Sequence, residues 1–454
     1  MRASPAFAVL ASAAIALPGC GGCTKSDASG SAPSSSTALR APVGSAAVVA
    51  ESLPRCRIDG ARLTVPGDDV VAGDAVVAAD AVLVGVVRRE GTKRLASVVR
   101  ASIDLANVKM IDVGPALGDD PPPAPRMRGA TAIVTWFARR AGSGADGGAD
   151  AGAGTMGATR LLEIARLEPS GLVAEGSIVQ QADESLAYDV AWPEPQGEAH
   201  AGLVAWDEDA PPAVAQAFGE RGVVKVQLLG AGTKPRVASP EKSDAEAPRL
   251  VARPGGYWLA WLARRAEAAE DAGASGNPEG PGERRAYRWV ELVALDAKGE
   301  PTSAVRRVSP EKGRVASFDL VRSGAPGDAQ LVILVQDEAA HAEGAGERIV
   351  RYGIEGEKIE ATDLLDGGVG HALADLLPQA GANRWLAFMD TQERAHLVAL
   401  GPSLRVAGPN TIEPALDGAR VLGALSPDTL YAVGPAGGAD GSGGHLELRR
   451  LICR

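Results

Sequence analysis

Four runs decide how this chain folds: P-R-L-V-A-R-P-G-G (248 to 256), Y-W-L-A-W-L-A-R-R (257 to 265), R-W-V-E-L-V-A-L-D (288 to 296) and P-T-S-A-V-R-R-V-S-P (301 to 310). Each is a short apolar or alternating run bounded by Gly, Pro, Asp or Ser, the pattern of a β-strand rather than of a helix. A tight polar turn, Ala297-Lys298-Gly299, separates the third run from the fourth. Four such strands, A to D, make one antiparallel up-and-down unit.

Related quartets fill the rest of the chain. The first unit reads Val70 to Ala79, Val82 to Arg88, Leu95 to Leu105 and Val108 to Val113. Gly114 to Pro125, with Pro121-Pro122-Pro123, reads as a break, so the second unit is recognised from its B strand, Ala132 to Arg140, followed by Leu161 to Leu167 and Leu172 to Val179. The third is Leu186 to Trp192, Gly202 to Trp206, Val223 to Leu229 and a weak strand near Arg236-Val237-Ala238. After the quartet at 248 to 310, the fifth is Val315 to Val321, Leu331 to Gln336, Arg348 to Tyr352 and Lys358 to Ala361. The sixth is His371 to Leu377, Arg384 to Met389, His396 to Leu400 and Leu404 to Ala407. Val421 to Leu425, Leu430 to Val433 and Leu446 to Ile452 begin a seventh unit that lacks its fourth strand. The B strands recur about 58 residues apart, a period of stacked β-propeller blades with insertions.

The expected fold is therefore all-β: a single seven-bladed propeller of four-stranded antiparallel blades, with a spacing that also accommodates six or eight. Arg57 to Val65 is the unassigned strand that would complete the last blade, and closure matters because an open ring exposes edges that pair with other chains. Cys56 and Cys453 then lie on neighbouring strands. A disulfide between them would constrain the unfolded chain by about 4–5 kcal/mol in the loop-entropy description. Two buried free thiols, or pairing of one of them with Cys23, are the other arrangements.

Composition bounds the partners. Net charge is −11, which argues against nucleic acid and against charge-driven adhesion to anionic membranes. Hydrophobic residues are 45% but aromatics only 4%, so the core must be built from Val, Leu, Ile and Ala.

The N-terminus reads as an export signal. Arg2 precedes an apolar run, Ala6 to Leu17, too short for a permanent transmembrane helix. The run ends in Leu17-Pro18-Gly19-Cys20, which resembles a bacterial lipobox, although Pro18 departs from its usual small or aliphatic residue. The resemblance implies that residues 1–19 are removed and that Cys20 carries the lipid. Gly21, rather than Asp, after that Cys leans towards the outer membrane, with the propeller in the periplasm or at the cell surface. The alternative is an ordinary signal peptide in which Cys20 is incidental. Residues 20–51 are rich in Gly, Ser, Ala, Thr and Pro and read as a disordered tether, spanning roughly 30 Å; residues 52–454 are the propeller.

Signals of chemistry are sparse. His200, His341, His371, His396 and His445 show no metal-binding spacing, and there is no G-x-S-x-G elbow. No catalytic, metal or cofactor residue is assigned. Asp119-Asp120 and Asp207-Glu208-Asp209 lack calcium-loop spacing and read as solvated loops. Trp136, Trp206 and Trp261 hold like positions in three B strands and read as inter-blade packing rather than a binding surface. The C–D turns at Leu295 to Gly299, Leu167 to Gly171 and Ile354 to Glu357 resemble those of quinoprotein-like propeller repeats, without the Trp that follows them there and without implying a quinone. The single Trp206-Asp207 is not a WD repeat, since the paired Gly-His is missing. Insertions at Ala141 to Ala158 and Ala266 to Gly282 both follow an Arg-Arg pair and should leave one face of the ring; they read as disordered surface loops.

The reading that results is a monomeric, membrane-anchored lipoprotein whose propeller is a binding or scaffolding module for an envelope protein or polymer. Its likeness to the propeller lipoprotein of the outer-membrane assembly machinery is architectural only. The alternative is an envelope polysaccharide hydrolase or lyase with its site at the central channel.

Overall fold

The computed structural model describes residues 56–116, 120–140, 159–168, 170–179, 187–193, 202–210, 221–230, 233–266, 286–311, 313–322, 331–337, 347–355, 358–369, 375–377, 384–389, 395–400, 411–412, 420–426, 428–435 and 445–453. The chain divides into two units, Met1–Ala50 and Glu51–Arg454, and every described residue belongs to the second. All regular structure among them is strand.

Strand β1 is Cys56–Thr64. Blade 1 follows with β2 (Asp68–Val77), β3 (Ala81–Glu90), β4 (Lys93–Ser102) and β5 (Val108–Pro115). Blade 2 is β6 (Ala124–Arg128), β7 (Thr131–Arg140), β8 (Thr159–Glu168) and β9 (Gly171–Val179). Blade 3 is β10 (Tyr188–Ala191), β11 (Leu203–Asp209), β12 (Gly222–Leu228) and β13 (Arg236–Val237). Blade 4 is β14 (Asp244–Arg253), β15 (Gly256–Ala266), β16 (Ala286–Asp296) and β17 (Arg306–Arg307). Blade 5 is β18 (Val315–Arg322), β19 (Leu331–Asp337), β20 (Glu347–Glu355) and β21 (Lys358–Val369). Blade 6 is β22 (Asp375–Leu377), β23 (Arg384–Met389), β24 (Ala395–Leu400) and β25 (Thr411–Ile412). Blade 7 is β26 (Arg420–Ser426), β27 (Thr429–Pro435) and β28 (Leu446–Cys453), with β1 paired to β28 as its fourth strand.

The result is seven four-stranded antiparallel sheets, with strands in chain order in blades 1 to 6 and β1 added beside β28 in blade 7. First strands pack on first strands, β2 on β6, β10 on β14, β14 on β18, β18 on β22 and β22 on β26, and β26 returns to β2. This is a seven-bladed β-propeller whose last blade is completed by the N-terminal strand.

Period-two alternation explains why blades stack. In β15, Tyr257, Leu259, Trp261 and Ala263 face blade 3, packing with Leu203, Ala205 and Val224. The intervening Ala260 and Leu262 face blade 5, packing with Phe318, Leu320 and Val350. Both faces of a blade are thus apolar, and the core is a series of layers between blades rather than one central mass. Each fully buried Leu or Val contributes about 1.5–3 kcal/mol relative to exposure. Turn chemistry sets the register. Asp296 accepts backbone bonds from Lys298 (2.8 Å) and Glu300 (2.7 Å), and Gly299 takes a left-handed φ of 78°.

The structure differs from the sequence reading at three strands. Blade 2 does have a first strand: β6 starts immediately after the proline run and pairs Ala124 with Thr135 and Arg128 with Thr131. Pro125 lies inside β6, opposite Val134, and its missing N–H is tolerated because β6 is an edge strand of its blade. The outer strand of blade 6 is Thr411–Ile412, opposite His396 and Leu397; Leu404 to Ala407 lie outside the described residues. In blade 4 the run 301 to 310 supplies a two-residue strand, Arg306 and Arg307, besides an isolated bridge of Pro301 with Leu295.

Cys56 and Cys453 stand directly opposite in the β1–β28 pair and are joined by a disulfide, 397 residues apart in sequence.

Candidate functional site

Charged and polar side chains of the first strands converge across blades 1 to 4. Arg126 of β6 reaches Asp74 of β2 at 2.7 Å and Asp189 of β10 at 3.8 Å. Asp189 also accepts the backbone N–H of Leu250 in β14 at 2.8 Å. Four consecutive inner strands are therefore tied by side chains. This solves a specific problem: a first strand has no sheet neighbour on its inner edge, and its N–H groups need acceptors. The neighbouring Tyr188 hydroxyl lies 2.8 Å from Thr135 Oγ1, and its ring meets Phe137 edge-on at 5.3 Å.

Burial disfavours the Arg126 charge, but Asp74 and Asp189 outweigh it and raise the guanidinium above its ordinary range. Burial pushes the Tyr188 phenol well above its ordinary range, against the opposing bond to Thr135 and the Arg126 charge. Tyr188 is thus a protonated phenol at neutral pH. Arg126→Met keeps the apolar stem and leaves two carboxylates without their shared cation. Because the Arg126 side chain is 31% exposed, the expected loss at pH 7 is about 2 kcal/mol rather than that of a fully buried pair. The deficit should shrink at high salt, which screens the carboxylates left without their cation. Urea unfolding at low and high salt checks this, and an equal deficit at each would show that charge is not what was lost.

A second feature is a cleft of about 550 Å³ between blades 4 and 5. It is lined by Val308, Ser309 and Pro310 on one side and Val350, Tyr352 and Ile359 on the other.

The sequence-derived site residues fall as follows. Cys20, and the insertions at 141 to 158 and 267 to 282, lie outside the described residues. The second insertion begins at Ala266, the last residue of β15, and both connect a second strand to a third, so both depart from the same end of their blades. Trp206 and Trp261 are buried between blades, and Trp136 is partly buried against blade 1. His445 contacts the Gly67 carbonyl at 3.3 Å on the surface. His396 sits in β24, and His200, His341 and His371 lie outside the described residues.

Two acidic groups correct the solvated-loop reading. Asp207 and Glu208 are buried in β11. Asp207 accepts the Ala247 N–H at 2.7 Å, where β14 bulges, and Glu208 takes the Trp206 indole N–H at 3.0 Å and pairs with Lys225. Asp120 is likewise buried, 3.5 Å from Arg160. Apart from Trp206, two residues before Glu208 in β11, their partners come from other strands, so adjacency in sequence carried little sign of them.

One repeat escaped the sequence reading. Ser239-Pro240-Glu241-Lys242 recurs as Ser309-Pro310-Glu311-Lys312 at the exits of blades 3 and 4. Each Ser hydroxyl accepts a third-strand N–H, from Val224 at 3.0 Å and from Val290 at 2.9 Å. The hydroxyl takes the place of a ladder carbonyl, which is why β13 and β17 are only two residues long.

No family model matches this chain, and no curated protein matches it. Among solved structures it is similar to polysaccharide lyase Uly1, with TM-score 0.46 and 10% identity over 85% of this chain and 90% of that one. It is similar to a variant of Synechocystis apocarotenoid oxygenase, with TM-score 0.41 and 11% identity over 75% of this chain and 70% of that one. A prolyl endopeptidase gives TM-score 0.42 and 10% identity over 81% of this chain but 46% of its own.

Proposed function

We propose that this is an exported lipoprotein, anchored through acylated Cys20 in the outer membrane, whose propeller serves as a binding or scaffolding module in the envelope. The observation that carries export is the Cys56–Cys453 disulfide, since such bonds persist outside the reducing cytosol. The binding reading is supported by how the inner strands use their charges. Asp74, Arg126 and Asp189 hold blades together, which makes a rigid disc suited to presenting surfaces. Mass spectrometry of membrane-associated protein should find diacylglyceryl-modified Cys20, and a mature start elsewhere would remove the anchor. In-cell crosslinking should then recover an envelope protein or polymer; recovery of lipid alone would count against scaffolding.

A second reading, an envelope polysaccharide hydrolase or lyase, draws on the same cluster. An arginine between two carboxylates, beside the Tyr188 phenol, is a polar constellation on channel-lining strands. Release of new chain ends from acidic polysaccharides by the purified protein, abolished by Tyr188→Phe, would select this reading over the first.

A further inference from the structure

Strand β1 completes blade 7, but the ring closes without it. The layer between blades 7 and 1 is built from Leu422, Tyr431, Val433 and Leu448 against Val82, Val84 and Val86. Tyr431 donates its hydroxyl to the Ile103 carbonyl at 2.6 Å, and Arg450 donates to the same oxygen at 3.3 Å. These buried blade 7 residues belong to β26, β27 or β28; β1 adds only the partly buried Ala61 and Leu63, packed against the layer.

β1 itself is weakly held. It pairs on one edge only, and Cys56 is its sole buried residue. Its pairing is interrupted between Ile58 and Arg62, where Asp59, Gly60 and Ala61 oppose Arg450 alone. Gly60 there adopts a φ of 91°, with open space where a side chain would stand. Besides its ladder and the partly buried Ala61 and Leu63, β1 relies on Asp59 with Arg450 at 2.6 Å and Arg62 with Glu447 at 3.8 Å. Beyond its last residue the chain is pinned again, because Val65 is buried and donates to the Leu446 carbonyl at 2.8 Å. The disulfide sits at the opposite end, on the first residue pair, where peeling of β1 would begin.

We propose that β1 is a releasable strand, that Cys56–Cys453 is its lock, and that reduction frees residues 56–64 while the seven-bladed ring stays folded. The reductant is a dithiol. It supplies two electrons and two protons, the S–S bond breaks to two thiols, and the dithiol leaves as its own cyclic disulfide. Release uncovers the outer edge of β28, a row of backbone donors and acceptors open to strand addition.

Hydrogen exchange on the full-length protein, with and without dithiol, tests this. Reduction should speed exchange of the amides of residues 57–64 by roughly tenfold or more, while those of β2, β26 and β27 keep their protection. Cys56→Ser/Cys453→Ser should show the fast β1 exchange with or without dithiol, which separates the lock from any reduction at Cys23. Asp59→Asn should add about a further tenfold in the reduced protein and little in the oxidised one, because the lock masks the loss of a charge-assisted bond. Unchanged β1 exchange on reduction would overturn the proposal. So would loss of protection in all seven sheets together, in either the reduced protein or the double serine variant.

Discussion

Replacing Trp261 with alanine lowers the stability of the ring by about 3–5 kcal/mol, the range for deleting a fully buried large aromatic. The indole is completely buried and packs towards blade 3. Its N–H donates to Glu291 Oε2 at 3.0 Å, while Trp289 donates to Oε1 at 3.0 Å and the Ser243 hydroxyl approaches Oε2 at 3.3 Å. The substitution therefore opens a cavity and withdraws a donor from a partly buried carboxylate. Trp261→Phe separates the two effects. It refills most of the volume but supplies no N–H, and should cost about 1–3 kcal/mol. Trp258, on the opposite face of β15, is the comparison. It is partly exposed, beneath Arg253 at 5.2 Å and Arg306 at 5.8 Å, and its replacement by alanine should cost less than that of Trp261. Denaturant unfolding of the three variants gives the order directly. A Trp261→Ala protein within about 1 kcal/mol of wild type would mean that inter-blade packing does not depend on this residue.

The fold was legible because its signal is local and repeated. Val82 to Arg88 and Trp258 to Arg265 read as strands on their own residues, and the missing fourth strand of the last unit pointed to Arg57 to Val65 and hence to Cys56 and Cys453. The inner-strand network was not legible, for a physical reason. Asp74, Arg126 and Asp189 are far apart in sequence, and each sits in a strand whose apolar neighbours dominate its pattern. Arg126 was further hidden behind Pro121 to Pro123, which read as a break between units. Asp207 and Glu208 misled because a run of acids at a strand end reads as hydrated, whereas Ala247, Trp206 and Lys225 supply their partners from β14, β11 and β12. The Ser-Pro-Glu-Lys repeat was the one missed feature with a visible signal. It occurs twice at equivalent points and marks where each outer strand stops.

Gly85→Ala is the second substitution with a large expected effect, and its mechanism differs from loss of packing. Gly85 lies in the middle of β3, and a Cβ there would stand 1.6 Å from the Pro123 carbonyl oxygen and 2.7 Å from its carbon. Gly73 of β2 is similarly close, with a would-be Cβ 2.7 Å from Pro122 Cβ. The proline run thus lies flat across the first two strands of blade 1 on its way to β6. At Gly85 the obstructing atoms are backbone, so no side-chain rotation relieves the clash, and the run must lift. Lifting it moves Ala124 to Arg126 and loosens the Arg126–Asp74 pair. We expect a loss of about 3 kcal/mol. The two sites should also couple: Gly85→Ala with Arg126→Met should cost less than the sum of the single changes, since the first already weakens what the second removes. Gly176→Ala is the control. That glycine is in β9 with nothing within 4 Å of a Cβ, and its substitution should stay within about 0.5 kcal/mol of wild type. If Gly85→Ala matched Gly176→Ala, the proline run could not rest on β3, and the crossing from blade 1 to blade 2 would have to follow another path.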